Sequence, residues 1–180
     1  MQLPQTIAGK RISLVQMPLD FIQKTVAGEK PTTNLFITHP DWYKETELAD
    51  MRLHQMQRDP SVASWLLRAI VDTKSQQMIG HFNCHDKVGS DFLQKYWGNA
   101  VEFGYTIYKP YRRNGFATET VLTMMDFLKN NTLASAIILA AAVDNHASLA
   151  MIRQLGFTEI DTVDEDDVSE IVFIKKFSDS

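Results

Sequence analysis

The stretch Val101-Glu-Phe-Gly-Tyr-Thr-Ile-Tyr-Lys-Pro-Tyr-Arg-Arg-Asn-Gly-Phe-Ala-Thr118 changes its period halfway along. Phe103, Tyr105 and Ile107 alternate with Glu102, Gly104, Thr106 and Tyr108, a β-rich pattern with the period of a strand. Lys109-Pro110 ends it, since proline brings no N–H to a ladder. Arg112-Arg113-Asn114-Gly115 reads as a basic turn. Beyond it Ala117, Val121, Met124, Met125 and Leu128 recur at helical spacing. A strand, a basic turn and a helix therefore follow one another. The first turn of such a helix presents N–H groups without internal partners at the positive end of its dipole, which is a phosphate site. Gly115 lets a ligand approach the backbone, and Ala117 keeps the next turn low.

The rest of the chain bounds the function classes. Its 180 residues suit a single domain, 1–180, with a sizeable core. The net charge of -4 disfavours a general nucleic-acid binder, which would be basic. A lone cysteine, Cys84, excludes an internal disulfide and suits a reducing compartment. Residues 1–10 lack the basic and apolar regions of a signal peptide. The longest apolar run, Ala136 to Val143, is too short to span a bilayer. A cytoplasmic protein with no membrane partner is expected.

Other elements follow from local pattern. Lys10 to Gln16 alternates as a first strand, and Pro18 opens a helix from Leu19 to Val26 that Gly28 ends. Residues 29–40 form a loop or short extra turn. Asp41 is an N-cap candidate for a helix from Trp42 to about Gln57, broken by Asp59-Pro60-Ser61. Ala63 to Val71 reads as a strand, with helix as the alternative, then Asp72 to Ser75 as a turn and Gln77 to His85 as the partner strand. Residues 86–99 hold an aromatic patch, Phe92, Tyr96 and Trp97. Asn130-Asn131-Thr132 ends the central helix, and Ala134 to Val143 suits a strand buried on both faces, although Ala140 to Ala142 would also suit a helix. Asp144-Asn145 offers an N-cap for a short helix whose face is marked by Ala147, Met151 and Leu155 and which ends at Gly156. Phe157 to Val163 and Ser169 to Phe177 read as strands around the acidic turn Asp164 to Asp167.

Two landmarks carry a resemblance. Arg112-x-x-Gly115-x-Ala117 is similar to the acyl-CoA signature of the GNAT N-acetyltransferases. The longer string from Gly104-Tyr105 through Tyr111 to Glu119 resembles their RimJ/RimL-type branch, which acetylates protein N-termini and some small amines. Asn145-His-Ala-Ser148, followed by Gln154-Leu-Gly-Phe157, resembles the second landmark of the family, in the expected order from about residue 64 to the C-terminus. The resemblance implies an α/β (α+β) GNAT acyl-CoA N-acyltransferase fold: a mixed twisted sheet flanked by helices, whose fourth and fifth strands splay apart. Acetyl-CoA would be the co-substrate, its pantetheine arm adding to the sheet like an extra strand. Tyr105, Thr106 and Ile107 match the arm positions. Arg112, Arg113, Asn114, Gly115, Phe116, Ala117 and Thr118 match the pyrophosphate positions, and Asn145 and Ser148 lie near the thioester end. The chain departs from many relatives at Ile152, where they hold the tyrosine that protonates the leaving thiolate.

The implied reaction is attack of an amine on a thioester. It needs a neutral amine, a stabilised oxyanion and a departing thiolate. A backbone N–H near Ile107 is the oxyanion candidate. Glu102 is the candidate base, directly or through water, and otherwise a solvated strand carboxylate or ion-pair partner. Ser148 is the candidate acid in place of the missing tyrosine, and otherwise a capping hydroxyl; water is the other proton source. A thiol pKa of about 8.5 makes the thiolate a fair leaving group. At neutral pH roughly a tenth of an α-amine (pKa about 7.7–8) is neutral, against well under a thousandth of a lysine, a difference of about 3–4 kcal/mol. Weak base machinery therefore suits an α-amine. The acceptor is a protein N-terminus or a small-molecule amine.

Three further features have a plain structural reading. His81, Cys84 and His85 read as strand residues lining the sheet rather than a metal cluster, because a strand turns Cys84 away from the two histidines and the three do not converge easily. The acidic turn is solvated surface or an attraction for cationic acceptors. The aromatic patch is packing or a contact between copies, which admits a homodimer. A non-catalytic acyl-CoA-binding module is the alternative reading, favoured by Ile152. Neither Gly-x-x-x-x-Gly-Lys-Ser/Thr nor Gly-x-Gly-x-x-Gly occurs, which disfavours a nucleotide-binding domain.

Overall fold

The computed structural model describes residues 1–165 and 168–177. Its strands are β1 (Thr6–Ala8), β2 (Ile12–Gln16), β3 (Leu67–Asp72), β4 (Met78–Cys84), β5 (Ala100–Ile107), β6 (Ala136–Ala142), β7 (Thr158–Glu165) and β8 (Val168–Lys176). The helices are α1 (Leu19–Val26), α2 (Thr46–Arg58), α3 (Phe116–Asn131) and α4 (His146–Gln154). The strands form a mixed, open sheet in the order β1-β2-β3-β4-β5-β6-β8-β7. A mixed sheet flanked by helices is what the resemblance implies. The chain divides into two compact units, Met1–Cys84 with Tyr105–Met124, and His85–Gly104 with Met125–Ser180.

In the first unit β2, β3 and β4 pair antiparallel. Helix α1 buries Phe21, Ile22 and Thr25. The Thr25 hydroxyl donates to the Phe21 carbonyl and accepts from the Trp42 indole, so a polar residue sits satisfied in an apolar core. That core also holds Leu53, Met56, Leu66, Val71 and Tyr108. Arg68 is fully buried on β3. Its guanidinium donates to the carbonyls of Pro4, Leu14 and Ser64, and burial lowers it to about 10.

Three expectations in this unit need correcting. β1 was not anticipated; its three residues are too few to show a period. The helix expected from Trp42 begins later. Pro40–Lys44 is a 3-10 turn in which His39 Nδ1 accepts from the Asp41 amide at 3.1 Å, and α2 starts at Thr46. With proline in its first turn and tight bonds from Trp42 to His39 and from Glu45 to Trp42, Asp41 lies inside the turn rather than capping a helix. β3 begins at Leu67 rather than Ala63, because Pro60–Val62 is a second 3-10 turn, and the Trp65 amide bonds back to Val62.

In the second unit the parallel β5–β6 ladder pairs Ala100 with Ala136, Val101 with Ile137 and Glu102 with Ile138, and ends there, while β6 runs on against β8 as far as Ala142. The apolar run of β6 is a buried strand. Ile138, Val172 and Ile174 pack with Leu93, and Tyr96 and Trp97 lie against them. Tyr96 donates to Asp161 at 2.6 Å and Trp97 to Ser135 at 2.8 Å, whereas Phe92 is exposed. Two members of the aromatic patch therefore serve packing. Helix α4 buries Leu149 and Ile152, not the face marked by Ala147, Met151 and Leu155. Ala147 is exposed, and the bulkier pair three residues apart sets the buried face. The strand expected to stop at Val163 continues to Glu165. Asp166 and Asp167 of the acidic turn lie outside the described residues. No described helix is long and apolar enough to cross a membrane.

Candidate acyl-CoA and acceptor site residues

In the first unit the end of β5 leads through a 3-10 turn, Lys109–Tyr111, into the basic turn and α3. Arg113 takes φ +64 and Gly115 φ +77, two left-handed residues that reverse the chain within four positions. The Asn114 side-chain amide donates to the carbonyls of Tyr111 and Arg112, closing the turn on itself. Arg112 Nε donates to the Ile107 carbonyl at 2.8 Å, fixing that arginine to the end of the strand.

The first intrahelical bond runs from the Glu119 amide to Gly115. The amides of Phe116, Ala117 and Thr118 consequently have no protein partner among the described residues, as the start of an uncapped helix requires. Three N–H groups at the positive end of the helix dipole, with Arg112 and Arg113 in the turn before them, are groups that suit an anion such as a diphosphate.

Sequence reasoning missed Arg11. Its Nη1 donates to the Asn114 carbonyl at 3.1 Å, its Nε pairs with Glu119 at 2.7 Å, and its guanidinium lies 4.6 Å from the centre of the Phe116 ring. Burial would raise the Glu119 carboxyl, but the Arg11 amide and guanidinium outweigh it and hold the group below its ordinary value. Arg11 therefore props the turn from the β1–β2 loop, more than a hundred residues away in sequence. No local motif announces such a contact. Gly80 also falls into place: a Cβ there would lie 2.1 Å from the Thr106 carbonyl oxygen, so only glycine lets β4 approach β5 beside the expected pantetheine positions Tyr105, Thr106 and Ile107.

Tyr108 faces inward, 3% exposed. His39 stacks on it at 4.7 Å between ring centres, and His81 lies at 6.0 Å. Burial first, then the carboxylates of Glu45 and Asp41, raise its phenol well above the ordinary tyrosine value. Burial lowers His81 to about 4, so its imidazole is neutral.

In the second unit Glu102 lies 3.3 Å from His85 Nδ1, and its carboxylate is 15% exposed. The His85 amide also donates to the Glu102 carbonyl at 3.0 Å. The ion-pair alternative for Glu102 thus has a named partner, His85. Asn145 Oδ1 accepts from the Ser148 amide at 3.2 Å and caps α4. Ser148 sits in the first turn, half-buried. Ile152 is 1% exposed, packed in the core. Cys84 is fully buried, and among the described residues no three His, Cys, Asp or Glu side chains gather as metal ligands.

Comparison with known proteins bears on this arrangement. A family model described as "Acetyltransferase (GNAT) domain" matches residues 20–158. No curated protein matches the chain in sequence. Among solved structures, a GNAT-family acetyltransferase from Bordetella pertussis superposes with a TM-score of 0.64 at 16% identity, covering 96% of this chain and 99% of its own. An acetyltransferase from Salmonella typhimurium, described as modifying the N-terminal serine of ribosomal protein L7/L12, gives 0.62 at 11%, covering 96% and 99%. The microcin C7 self-immunity acetyltransferase MccE, solved with acetyl-CoA and AMP, gives 0.62 at 12%, covering 93% of each chain. At these identities the likeness is one of fold.

Proposed function

The chain belongs to the GNAT acetyltransferase family, and from that premise we propose that it transfers an acetyl group from acetyl-CoA to a primary amine, directly and without a covalent enzyme intermediate. The observation that carries the proposal is the α3 N-terminus, where the amides of Phe116, Ala117 and Thr118 lack protein partners beside Arg112 and Arg113. These groups suit a diphosphate: N–H donors and guanidinium forks both favour phosphate oxygens. Acetyl-CoA supplies the activated thioester.

The chain's own residues divide the remaining work. Arg112, Arg113, Asn114, Gly115, Phe116, Ala117 and Thr118 hold the diphosphate. The backbone of Tyr105, Thr106 and Ile107 takes the pantetheine arm. Glu102 accepts the proton of the amine, with His85 as its partner. Ser148 donates to the thiolate, and Asn145 contacts the cofactor. Structural relatives described as acetylating a ribosomal-protein N-terminus support a protein N-terminus as one acceptor class; a small-molecule amine is the other. We place the activity in the cytoplasm, without nucleic-acid or membrane partners and with a homodimer admitted.

Release of free thiol from acetyl-CoA, measured over a panel of small amines and N-terminal peptides, tests the reading. Turnover with at least one amine is expected. Tight acetyl-CoA binding with no turnover on any of them would favour the non-catalytic binding module, to which the burial of Ile152 in place of a tyrosine already lends weight.

A further inference from the structure

In the second unit the end of α4, the start of β7 and the end of β8 border an open groove of about 670 Å³. Its lining residues all belong to that unit, and none is among those assigned to acetyl-CoA or to the amine. Three of them are lysines: Lys95, Lys175 and Lys176. The chain as a whole carries a net charge of -4, so three cations in one groove need a reason. Each is held in place. Lys95 Nζ lies 4.4 Å from the centre of the Tyr96 ring, and Lys176 Nζ 3.7 Å from that of Trp97. Lys175, half-buried, donates to the Leu155 carbonyl at the end of α4. An aromatic face or a carbonyl fixes an ammonium without neutralising it.

The carboxylates beside Thr158 and Ile160 are engaged. Glu159 pairs with Arg153 at 2.6 Å, and Asp161 accepts from the Tyr96 hydroxyl at 2.6 Å. Asp161 also acts on Lys95, but no ion pair reaches any of the three lysines among the described residues. Lys175 and Lys176 are neighbours on β8 and face opposite sides of the sheet, while Lys95 comes from the segment before β5. The charges therefore rim the groove instead of meeting at one point. That suits several anionic groups spaced along a chain better than a single phosphate.

Two more features bear on the occupant. Ile174 and Ile160 give the groove an apolar floor, and Ile160 is 39% exposed. It is the residue that drops out of register where β7 bulges between Glu159 and Asp161, and a bulge re-aims a side chain. β7 is also the outermost strand of the sheet on its side and pairs only with β8, so backbone N–H and C=O groups lie open along its edge. We propose that the groove docks an extended, acidic segment of a partner polypeptide. Its carboxylates meet the three lysines, its apolar side chains meet Ile160 and Ile174, and its backbone meets the edge of β7. A nucleic acid answers only the lysines; the apolar floor and the strand edge call for a polypeptide. The proposal stands apart from the acetyltransferase reading.

The probe is a peptide of alternating glutamate and valine, acetylated at its N-terminus so that it offers no amine. It is titrated into the full chain and followed by calorimetry and by amide NMR. Saturable binding is expected, at least about ten-fold weaker in 1 M salt, where charges are screened beyond about 3 Å. Lys95→Gln with Lys176→Gln, both exposed, should weaken it about five-fold or more while acetyl-CoA affinity and the melting temperature stay near wild type. Ile160→Asp should weaken it with all three lysines intact. The largest amide shifts should fall on Thr158, Ile160 and Lys175. No binding, binding that the lysine variant leaves unchanged, or shifts confined to other residues would overturn the groove. Tighter binding of an oligonucleotide of equal charge, lost in the same variant, would overturn the choice of a polypeptide.

Discussion

Replacing His81 by phenylalanine should flatten the acid side of the stability curve. His81 is 4% exposed, and burial lowers its imidazole from 6.5 to about 4. The folded state therefore refuses a proton that the unfolded chain accepts. Stability from the neutral ring is complete above pH 6.5 and is lost as pH falls from 6.5 through 4. A gap of about 2.5 pH units at about 1.4 kcal/mol each sets a ceiling of about 3.4 kcal/mol, of which about 2 kcal/mol is gone by pH 5 and about 3 by pH 4. His81 Nδ1 makes no hydrogen bond, so phenylalanine removes none there and keeps an aromatic edge beside Trp42. Carboxylates protonate in both proteins, so the difference between them isolates the histidine. Urea unfolding, followed by tryptophan fluorescence at pH 7.5 and pH 5, should show the wild-type protein losing about 2 kcal/mol more than the variant. Equal losses, or a His81 ring resonance titrating near 6.5, would refute the burial argument.

Arg112→Ala combined with Arg113→Ala should weaken acetyl-CoA binding by about ten- to a hundred-fold, since two charge-assisted contacts go, with the fold unchanged by circular dichroism; calorimetric titration checks it. Gly80→Ala should destabilise the protein by more than about 2 kcal/mol, because the new Cβ would lie 2.1 Å from the Thr106 carbonyl oxygen and backbone must move; thermal unfolding reads it. Arg68→Ala should cost about 3–5 kcal/mol by leaving the carbonyls of Pro4, Leu14 and Ser64 without their donor, and should raise amide exchange in β1 before other strands. Glu102→Gln should lower turnover and remove the acidic limb of the pH–rate profile while acetyl-CoA affinity stays near wild type; an unchanged profile would take Glu102 out of the mechanism.

What the sequence made legible was local. The change from period two to helical period at Lys109–Thr118 located β5, the turn and α3, and Pro18 with Gly28 located α1 to the residue. The apolar run to Ala142 showed a buried strand, and Asn145 showed a cap. What stayed hidden depends on distant partners. Arg11 has no neighbour in sequence that announces its place at Asn114 and Glu119. Tyr108 reads as the outward member of an alternating strand until His39 and Trp42 close over that face. Nothing near His85 in sequence points to Glu102 on the next strand, which lies 3.3 Å from its Nδ1. The 3-10 turn before α2 was hidden for a different reason: Pro40 and Asp41 are equally good openers for either helix type, and the difference lies in how tightly the chain closes over Trp42.

One residue sets two demands against each other. Arg113 carries a long side chain at a backbone angle that glycine adopts freely and that costs other residues about 1 kcal/mol. Exchanging it for glycine should make the protein a little harder to melt and a poorer host for anions. Such a tension is what the proposed anion site asks of the tight bend.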